Sequence, residues 1–284
     1  MPSIIVPSDF SKNSTIALRY AIQLCKITKT DLIVFHASHI STYALSVAST
    51  EEQMNLLLQE DETNKMEKLQ DQVNKAFKFL NIQKIPAGTR LLVEYTPMVV
   101  ERTLDLANQE KASMIIMGTH GATGINKFFF GSNTSVMISK SDIPVLAIPE
   151  NYKWNAPKDM LFASDLENMG KELKQLLPFA SSTKAGIRVL YLDYGIDPDD
   201  KKMKKATEAL KASGYRKIKI EVQKATIEDT LVSQVKKYIS KNKPDILVMF
   251  TRERSMWDRL FGKGSKTEDM STSLSVPLLT YKKG

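Results

Sequence analysis

The order of apolar and polar positions predicts alternating strands and helices along the chain. The apolar run "SIIVPSDF" stops at Pro7, and Ser8 to Ser11 offer side-chain oxygens that can cap a following helix. Apolar residues then recur at helical spacing in "NSTIALRYAIQLCKIT", and "DLIVFHA" is a continuous run typical of a strand buried on both faces. The chain is therefore predicted to begin with a β-α-β unit.

The same alternation continues to about residue 150. A long polar, helix-favouring stretch from Glu51 to Leu80 precedes the segments "TRLLVEY", "PMVVERTLDLANQEK", "ASMIIMG", a helix from about Ser132, and "IPVLAIP". These segments favour strand, helix, strand, helix and strand in turn. Such alternation predicts an α/β fold with a mostly parallel, doubly wound sheet.

The second half repeats the pattern of the first. "DMLFASDL" matches "SIIVPSDF", so Asp165 takes the place of Asp9, and the strand candidates "GIRVLYL", "RKIKIEV", "DILVMF" and "VPLLTY" follow. We therefore predict two tandem domains, residues 1–150 and 151–284, each with a mostly parallel five-stranded sheet flanked by helices. The polar segment "ENYKWNAPKD" at residues 150–159 contains a proline, as linkers between domains often do.

The positive charge of the chain lies in its second half. The net charge is +8, and residues 151–284 carry 26 basic and 17 acidic side chains, against 14 and 15 in residues 1–150. The lysines are scattered over predicted helical faces, as at Lys201, Lys204 and Lys211, without interleaved aromatic residues. This distribution favours a solvated surface over a nucleic-acid interface.

The apolar runs are too short for a membrane protein. None reaches the roughly 18 residues of a bilayer span, and no amino-terminal signal segment is evident, so we expect a cytoplasmic protein without membrane partners. Cys25 is the sole cysteine and lies in the first predicted helix, where we expect a buried structural thiol.

The segment "MGTHGATGINKFFFGSNTS" contains candidate phosphate-binding residues. It leaves a strand at Met117 and places hydroxyl-bearing residues directly after its last glycine, Gly131. Glycine lets the backbone approach a ligand closely, and the amino end of a helix attracts anions. In an open parallel sheet ligands bind outside the carboxyl ends of the strands, so this segment predicts a phosphate site there.

Two other strand ends point to the same edge. Asp9 follows the first strand and can accept hydrogen bonds from sugar hydroxyls or an adenine amino group. His36 and Ala37 end the second strand, where backbone groups can contact the rim of a purine. The carboxyl edge of the first sheet is therefore expected to bind a nucleotide.

The joint spacing of these residues resembles the universal stress protein family, specifically its nucleotide-binding members. Two residues separate Gly118 from Gly121, nine separate Gly121 from Gly131, Ser132 follows at once, and "VPSDF" ends the first strand. The resemblance covers nearly the whole chain as a tandem pair. It implies a universal stress protein or adenine nucleotide alpha hydrolase-like fold, and an ATP- or AMP-binding stress-response regulator rather than an enzyme.

The resemblance also implies roles for individual residues. On the adenosine side they are Pro7, Ser8 and Asp9 at the adenosine portion, Ala37 at adenine, and Met117 and Gly118 at the ribose. On the phosphate side they are His120 and Gly121, which approach the phosphates, and Gly131, Ser132, Asn133 and Thr134, which hold them. Only the backbone role is carried over for Asn133.

The histidines leave catalysis as an alternative. His120 is interpreted as a phosphate ligand, but it is also the candidate base of a slow ATP hydrolase. His36 and His39 are expected to satisfy local hydrogen bonds, and these residues with Cys25 do not have the spacing of a zinc site. Mg²⁺ or Mn²⁺ is expected only as a companion of the nucleotide.

The second half lacks the glycine pattern. Thr251 and Arg254 stand where the first half has Gly118 and Gly121, although Asp165, Gly264 and Ser265 match their counterparts. We therefore expect a mainly structural second domain, paired with the first through "PVLAIP" and "VPLLTY". A homodimer and a ligand-free interaction scaffold stay open as alternatives.

Overall fold

The strands and helices alternate as predicted. The computed structural model describes residues 2–39, 50–119, 131–195, 201–226, 228–251 and 275–282. The first half contains, in chain order, β1 (Ser3–Pro7), α1 (Lys12–Thr28), β2 (Asp31–Ser38), α2 (Glu51–Phe79), β3 (Thr89–Tyr95), α3 (Val99–Gln109), β4 (Met114–Gly118), α4 (Ser132–Lys140) and β5 (Val145–Ile148). The second half contains β6 (Asp159–Ala163), α5 (Met169–Thr183), β7 (Gly186–Asp193), α6 (Lys201–Ala212), β8 (Ile218–Lys224), α7 (Leu231–Asn242), β9 (Ile246–Thr251) and β10 (Leu278–Lys282).

The described chain divides into two compact units, one reaching Met137 and the other starting at Ile138. In the first unit the strand order is β3-β2-β1-β4, and every pair is parallel. Strand β1 pairs with β2, the next strand in the chain, on one side and with β4, which comes much later, on the other. The strand order therefore reverses at β1. In doubly wound sheets this reversal opens a crevice at the carboxyl ends of the strands.

Apolar residues of β1 and β2 build the core of this unit. Ile4, Ile5 and Val6 are at most 2% exposed, as expected for strands covered by helices on both faces. Helix α1 begins after Ser11, whose Oγ accepts a hydrogen bond from the Ser14 N–H over 3.0 Å. The predicted cap is thus confirmed, and such caps contribute about 1 kcal/mol to helix stability.

The second unit has the strand order β5-β10-β9-β6-β7-β8. Its neighbouring strands are parallel except for β5 and β10, which pair antiparallel with Ala147 opposite Leu278 and Val145 opposite Thr280. These are the segments "PVLAIP" and "VPLLTY" that the sequence predicted to lie side by side. Strand β5 thus packs with the second unit, while the predicted boundary of the sequence repeat near residue 150 stays a prediction.

The described helices are too short or too polar for a bilayer span. The longest of them, α2, has 29 residues, but its sequence is strongly polar. No helix in the described ranges is both long and apolar enough to cross a membrane.

Candidate nucleotide site

The loop after β1 presents Asp9 at the carboxyl edge of the sheet. The carboxylate of this exposed residue accepts a hydrogen bond from the Ser11 N–H at Oδ1, over 3.0 Å. Ser8 Oγ accepts the Phe10 N–H over 3.2 Å, and Phe10 has a positive φ of 63°. These local hydrogen bonds fix the turn and keep the Asp9 side chain at the edge of the sheet.

His36 supports this loop from the neighbouring strand. Its Nδ1 lies 2.8 Å from the carbonyl oxygen of Ser8, which can only accept, so Nδ1 carries the proton. The imidazole also contacts the Phe10 ring, with 4.2 Å between the ring centroids. Burial lowers the pKa of His36, which favours the neutral form. The expectation that His36 satisfies a local hydrogen bond is confirmed.

The end of β4 and the beginning of α4 are joined by two hydrogen bonds. The Gly131 N–H donates to the Thr119 carbonyl over 2.6 Å, and the Thr134 hydroxyl donates to the Gly118 carbonyl over 2.9 Å. Thr134 is 3% exposed. Its hydroxyl hydrogen is thus used within the protein, so a phosphate contact through that hydrogen requires a rearrangement, and its binding role stays a prediction.

Gly118 is also required by packing. A Cβ at this position would lie 2.8 Å from Asn13 Cγ and 3.1 Å from the Asn13 carbonyl carbon. Any side chain there would push against the first turn of α1. Packing against Asn13 therefore explains the glycine at this position without a ligand.

A cavity of about 440 Å³ lies at this edge, between the ends of β1, β2 and β4 and the start of α4. Its walls include ten of the twelve predicted site residues: Pro7, Ser8, Asp9, Ala37, Met117, Gly118, Gly131, Ser132, Asn133 and Thr134. The other two, His120 and Gly121, lie outside the described residues. The volume falls within the range of about 300–1,000 Å³ that is typical of small-molecule sites.

One end of this cavity suits an anion. Ser132 and Asn133 are exposed at the first turn of α4, and that turn, all of it described, carries no acidic side chain. The unpaired N–H groups at the start of a helix and its dipole both favour a negative ligand.

Sequence reasoning missed the contribution of the long helix α2 to this site. Gln72 is 9% exposed, and its Oε1 accepts a hydrogen bond from Ser8 Oγ over 2.7 Å. Its Nε2 donates to Thr15 Oγ1 over 2.8 Å. The available signal was a polar residue on the apolar helical face of Leu69 and Val73, which is unusual unless the side chain has a buried partner.

The middle of α2 is attached to the same sheet edge. The Tyr95 hydroxyl at the end of β3 donates to Asp61 Oδ2 over 2.7 Å, and Ser38 Oγ at the end of β2 donates to the same oxygen over 3.4 Å. Burial and the Asp61 carboxylate raise the pKa of Tyr95, so its hydroxyl stays protonated and donates.

The second half repeats the loop geometry of the first. Ser164 Oγ accepts the Leu166 N–H over 3.1 Å, Asp165 Oδ1 accepts the Glu167 N–H over 3.0 Å, and Leu166 has a φ of 63°. The partner of the serine differs, because Ser164 Oγ lies 3.2 Å from Oε2 of Glu172, which is 3% exposed. This half thus buries a carboxylate beside the loop where the first half has an amide.

The other predicted features of the second half are described only in part. Thr251 ends β9, and its Oγ1 donates to the Tyr281 carbonyl over 3.2 Å. Arg254, Gly264 and Ser265 lie outside the described residues. Within the described residues, His, Cys, Asp and Glu side chains form no cluster of three that could hold a metal ion.

A doubly wound sheet with a cavity where its strand order reverses defines a class of α/β proteins that bind ligands at the carboxyl edge. The chain matches the model of the Universal stress protein family over residues 1–149, which is more than half of its length. It belongs to the universal stress protein family.

The relatives agree with this assignment. Universal stress protein MJ0577 of Methanocaldococcus jannaschii is 30% identical over 161 residues, covering 51% of this chain and 93% of the relative. Stress response protein NhaX of Bacillus subtilis is 30% identical over 168 residues, covering 51% and 96%. A solved universal stress protein from Archaeoglobus fulgidus is 16% identical with a TM-score of 0.66, and the match covers 99% of this chain and 98% of that one. The shared fold therefore extends over both halves.

Proposed function

We propose that the first half of this chain binds an adenine nucleotide, ATP or AMP, and thereby regulates a stress response. The observation that carries the proposal is the 440 Å³ cavity, which brings ten predicted residues from four separate segments to one sheet edge. A nucleotide needs a donor-rich anion end and a less polar base end, and the cavity offers both.

The orientation of the ligand follows from these two ends. The phosphates would lie at the start of α4, beside Ser132 and Asn133, and the adenosine would lie toward Asp9 and Ala37. Val99 and Val100 of α3 add apolar wall beside the base, which suits the flat face of a purine. Asp9 would accept hydrogen bonds from the ribose or the adenine amino group.

A metal ion would bind together with the phosphates of the nucleotide. The described residues at the phosphate end, Gly131 to Thr134, are neutral and supply no carboxylate. Mg²⁺ or Mn²⁺ would therefore take its ligands from phosphate oxygens and water, as Mg²⁺ commonly does.

We propose binding rather than catalysis. Among the described residues that line the cavity, Asp9 is the one carboxylate, and its Oδ1 accepts the Ser11 N–H. Two histidines also line the cavity: His36 is buried and donates to the Ser8 carbonyl, and His39 is exposed after the end of β2, with no carboxylate beside it in the chain. Hydrolysis needs a group placed to activate water. Nucleotide binding would instead shift a conformational or association equilibrium, through different affinities in the two states.

The second half would act as a structural partner. The sequence supports this role, because Thr251 and Arg254 stand where the first half has Gly118 and Gly121, and a side chain at either position narrows the space for a phosphate. Pairing of the two domains through β5 and β10, and a cytoplasmic location, belong to the same proposal. Association of two chains stays open.

A matched pair of variants tests the proposal. Asp9→Asn keeps an oxygen that can accept the Ser11 N–H but removes the charge, so we expect about tenfold weaker ATP binding in calorimetry. Asp165→Asn makes the same change in the same turn of the second half and should leave the affinity unaltered. Equal ATP affinity in both variants would place the nucleotide away from Asp9, and absence of ATP binding from the wild type would favour the interaction-scaffold alternative.

Phosphate release decides between a binding protein and a slow hydrolase. The full chain with ATP and Mg²⁺ should release phosphate no faster than a blank without protein. Sustained turnover that is abolished in His120→Ala would replace the binding-only proposal with the hydrolase.

A further inference from the structure

A second cavity, of about 380 Å³, lies at the amino edge of the first sheet. We call it the amino-edge cavity. Its walls come from the last turns of α1 and α2, the starts of β2 and β3, and the segment before β3. The proposed nucleotide cavity lies at the carboxyl ends of the same strands, so the two cavities are separate.

The walls of the amino-edge cavity are apolar and fixed. Ile22, Leu32 and Phe77 line it, and each is less than 5% exposed because it also belongs to the core. Ile82 and Pro86 complete the apolar lining. A preformed apolar cavity of this size is characteristic of small-molecule sites.

The charges around the amino-edge cavity nearly cancel. Lys26 and Lys29 contribute two positive charges and Asp31 one negative charge. Helices α1 and α2 both end here, and the carboxyl end of a helix carries about half a negative charge. Arg90, which lies near Asp31, is paired with Glu110. The electrostatic field of these charges therefore favours neither an anion nor a cation in the cavity.

Cys25 keeps the wall uncharged. Its Sγ lies 3.7 Å from the Asp31 carbonyl oxygen, a weak contact that leaves the side chain as part of the apolar wall. Burial raises the pKa of the thiol to about 11, so it stays protonated near neutral pH.

From the apolar walls and the balanced charges we propose that the amino-edge cavity binds an uncharged, mainly apolar small molecule. The proposal is independent of nucleotide binding, since it uses other residues at the opposite edge.

Three probes with the same eight-carbon chain test the charge preference. 1-Octanol, octanoate and octylammonium are titrated separately into the full chain and followed by calorimetry or ligand-observed nuclear magnetic resonance. We expect 1-octanol to bind at least about tenfold more tightly than either ion, because an ion must lose hydration against the apolar walls while the charges around the cavity nearly cancel. Equal or tighter binding of an ion would overturn the proposal.

The sole cysteine locates the bound probe. Saturating 1-octanol should slow the reaction of Cys25 with a maleimide at pH 9 several-fold, because the ligand covers the thiol. Cys25→Met should fill part of the cavity and weaken 1-octanol binding at least about tenfold, whereas Cys25→Ala should preserve it. Thermal unfolding checks that both variants fold. Undiminished binding to a folded Cys25→Met variant, or an unprotected thiol at saturation, would place the probe elsewhere and refute the site.

Discussion

The Ser8 hydroxyl donates a hydrogen bond to Gln72 Oε1 over 2.7 Å and thereby attaches helix α2 to the loop that ends β1. In the second half the equivalent serine, Ser164, has the carboxylate of Glu172 as its partner. One loop geometry is thus combined with a neutral amide in one half and a buried acid in the other. The surroundings of this loop therefore differ between the two halves.

The first prediction concerns Gln72→Glu, which imitates the second half. We expect about tenfold weaker ATP binding, because a carboxylate at this 9% exposed position could not donate to Thr15 and would weaken the support of the Ser8 loop beside the adenosine. Calorimetry measures the affinity. The reciprocal change Glu172→Gln should leave it unaltered. A folded Gln72→Glu protein with wild-type affinity would show that the hydrogen bonds of Gln72 do not support ligand binding.

The second prediction concerns Gly118→Ala. The added methyl would lie 2.8 Å from Asn13 Cγ, so we expect a loss of about 1–3 kcal/mol in the free energy of unfolding, measured with urea. The loss should shrink when Asn13→Ala is combined with it, as a double-mutant cycle would reveal. If the cost is the same in both backgrounds, the clash with the Asn13 side chain is not its cause.

A control for this experiment lies in α5. A Cβ at Gly170 would meet only Ala209 Cβ, at 3.9 Å. Gly170→Ala should therefore be neutral or stabilise the helix by up to about 1 kcal/mol. The contrast separates a steric conflict from the general effect of replacing glycine. It also means that lost nucleotide binding in a Gly118 variant is not evidence of a lost ligand contact.

The third prediction concerns the pH dependence of stability through His36. Burial lowers the pKa of His36 in the folded protein below the unfolded value of about 6.5. The unfolded chain then binds more protons in this window, so the free energy of unfolding should fall as the pH drops from about 7 toward the folded pKa. His36→Gln removes this titration and should flatten the pH dependence between pH 7 and 5, measured by urea unfolding. Identical slopes in the two proteins would contradict the assignment.

Most of the fold could be predicted from the sequence because the local patterns of apolar and polar residues favour the same strands and helices that form. Strands β1 and β2 are buried on both faces and therefore appear as continuous apolar runs, whereas α2 is a long polar stretch whose predicted and observed bounds nearly coincide. The match of Asp9 to Asp165 revealed the repeat, and the structure shows the same turn at both positions.

The remaining features depend on contacts between residues that are far apart in the sequence. The partner of Ser8 lies 64 positions away in α2, and the polar Gln72 on an apolar helical face indicates a buried partner without identifying it as Ser8. The family resemblance assigned Gly118 to the ribose of a ligand, while its packing against Asn13 appears only when α1 and β4 are brought together. The predicted roles of the cavity residues in nucleotide binding stay predictions.

The antiparallel pairing of β5 with β10 has a consequence for fragments of this protein. A truncated chain ending near residue 150 would keep β5, with its four buried residues, but would lose its antiparallel partner β10. The edge of β5 that pairs with β10 in the intact chain would then expose unpaired main-chain groups and apolar side chains, a combination that promotes self-association. Such a fragment should sediment as a dimer or larger species even where the intact chain does not.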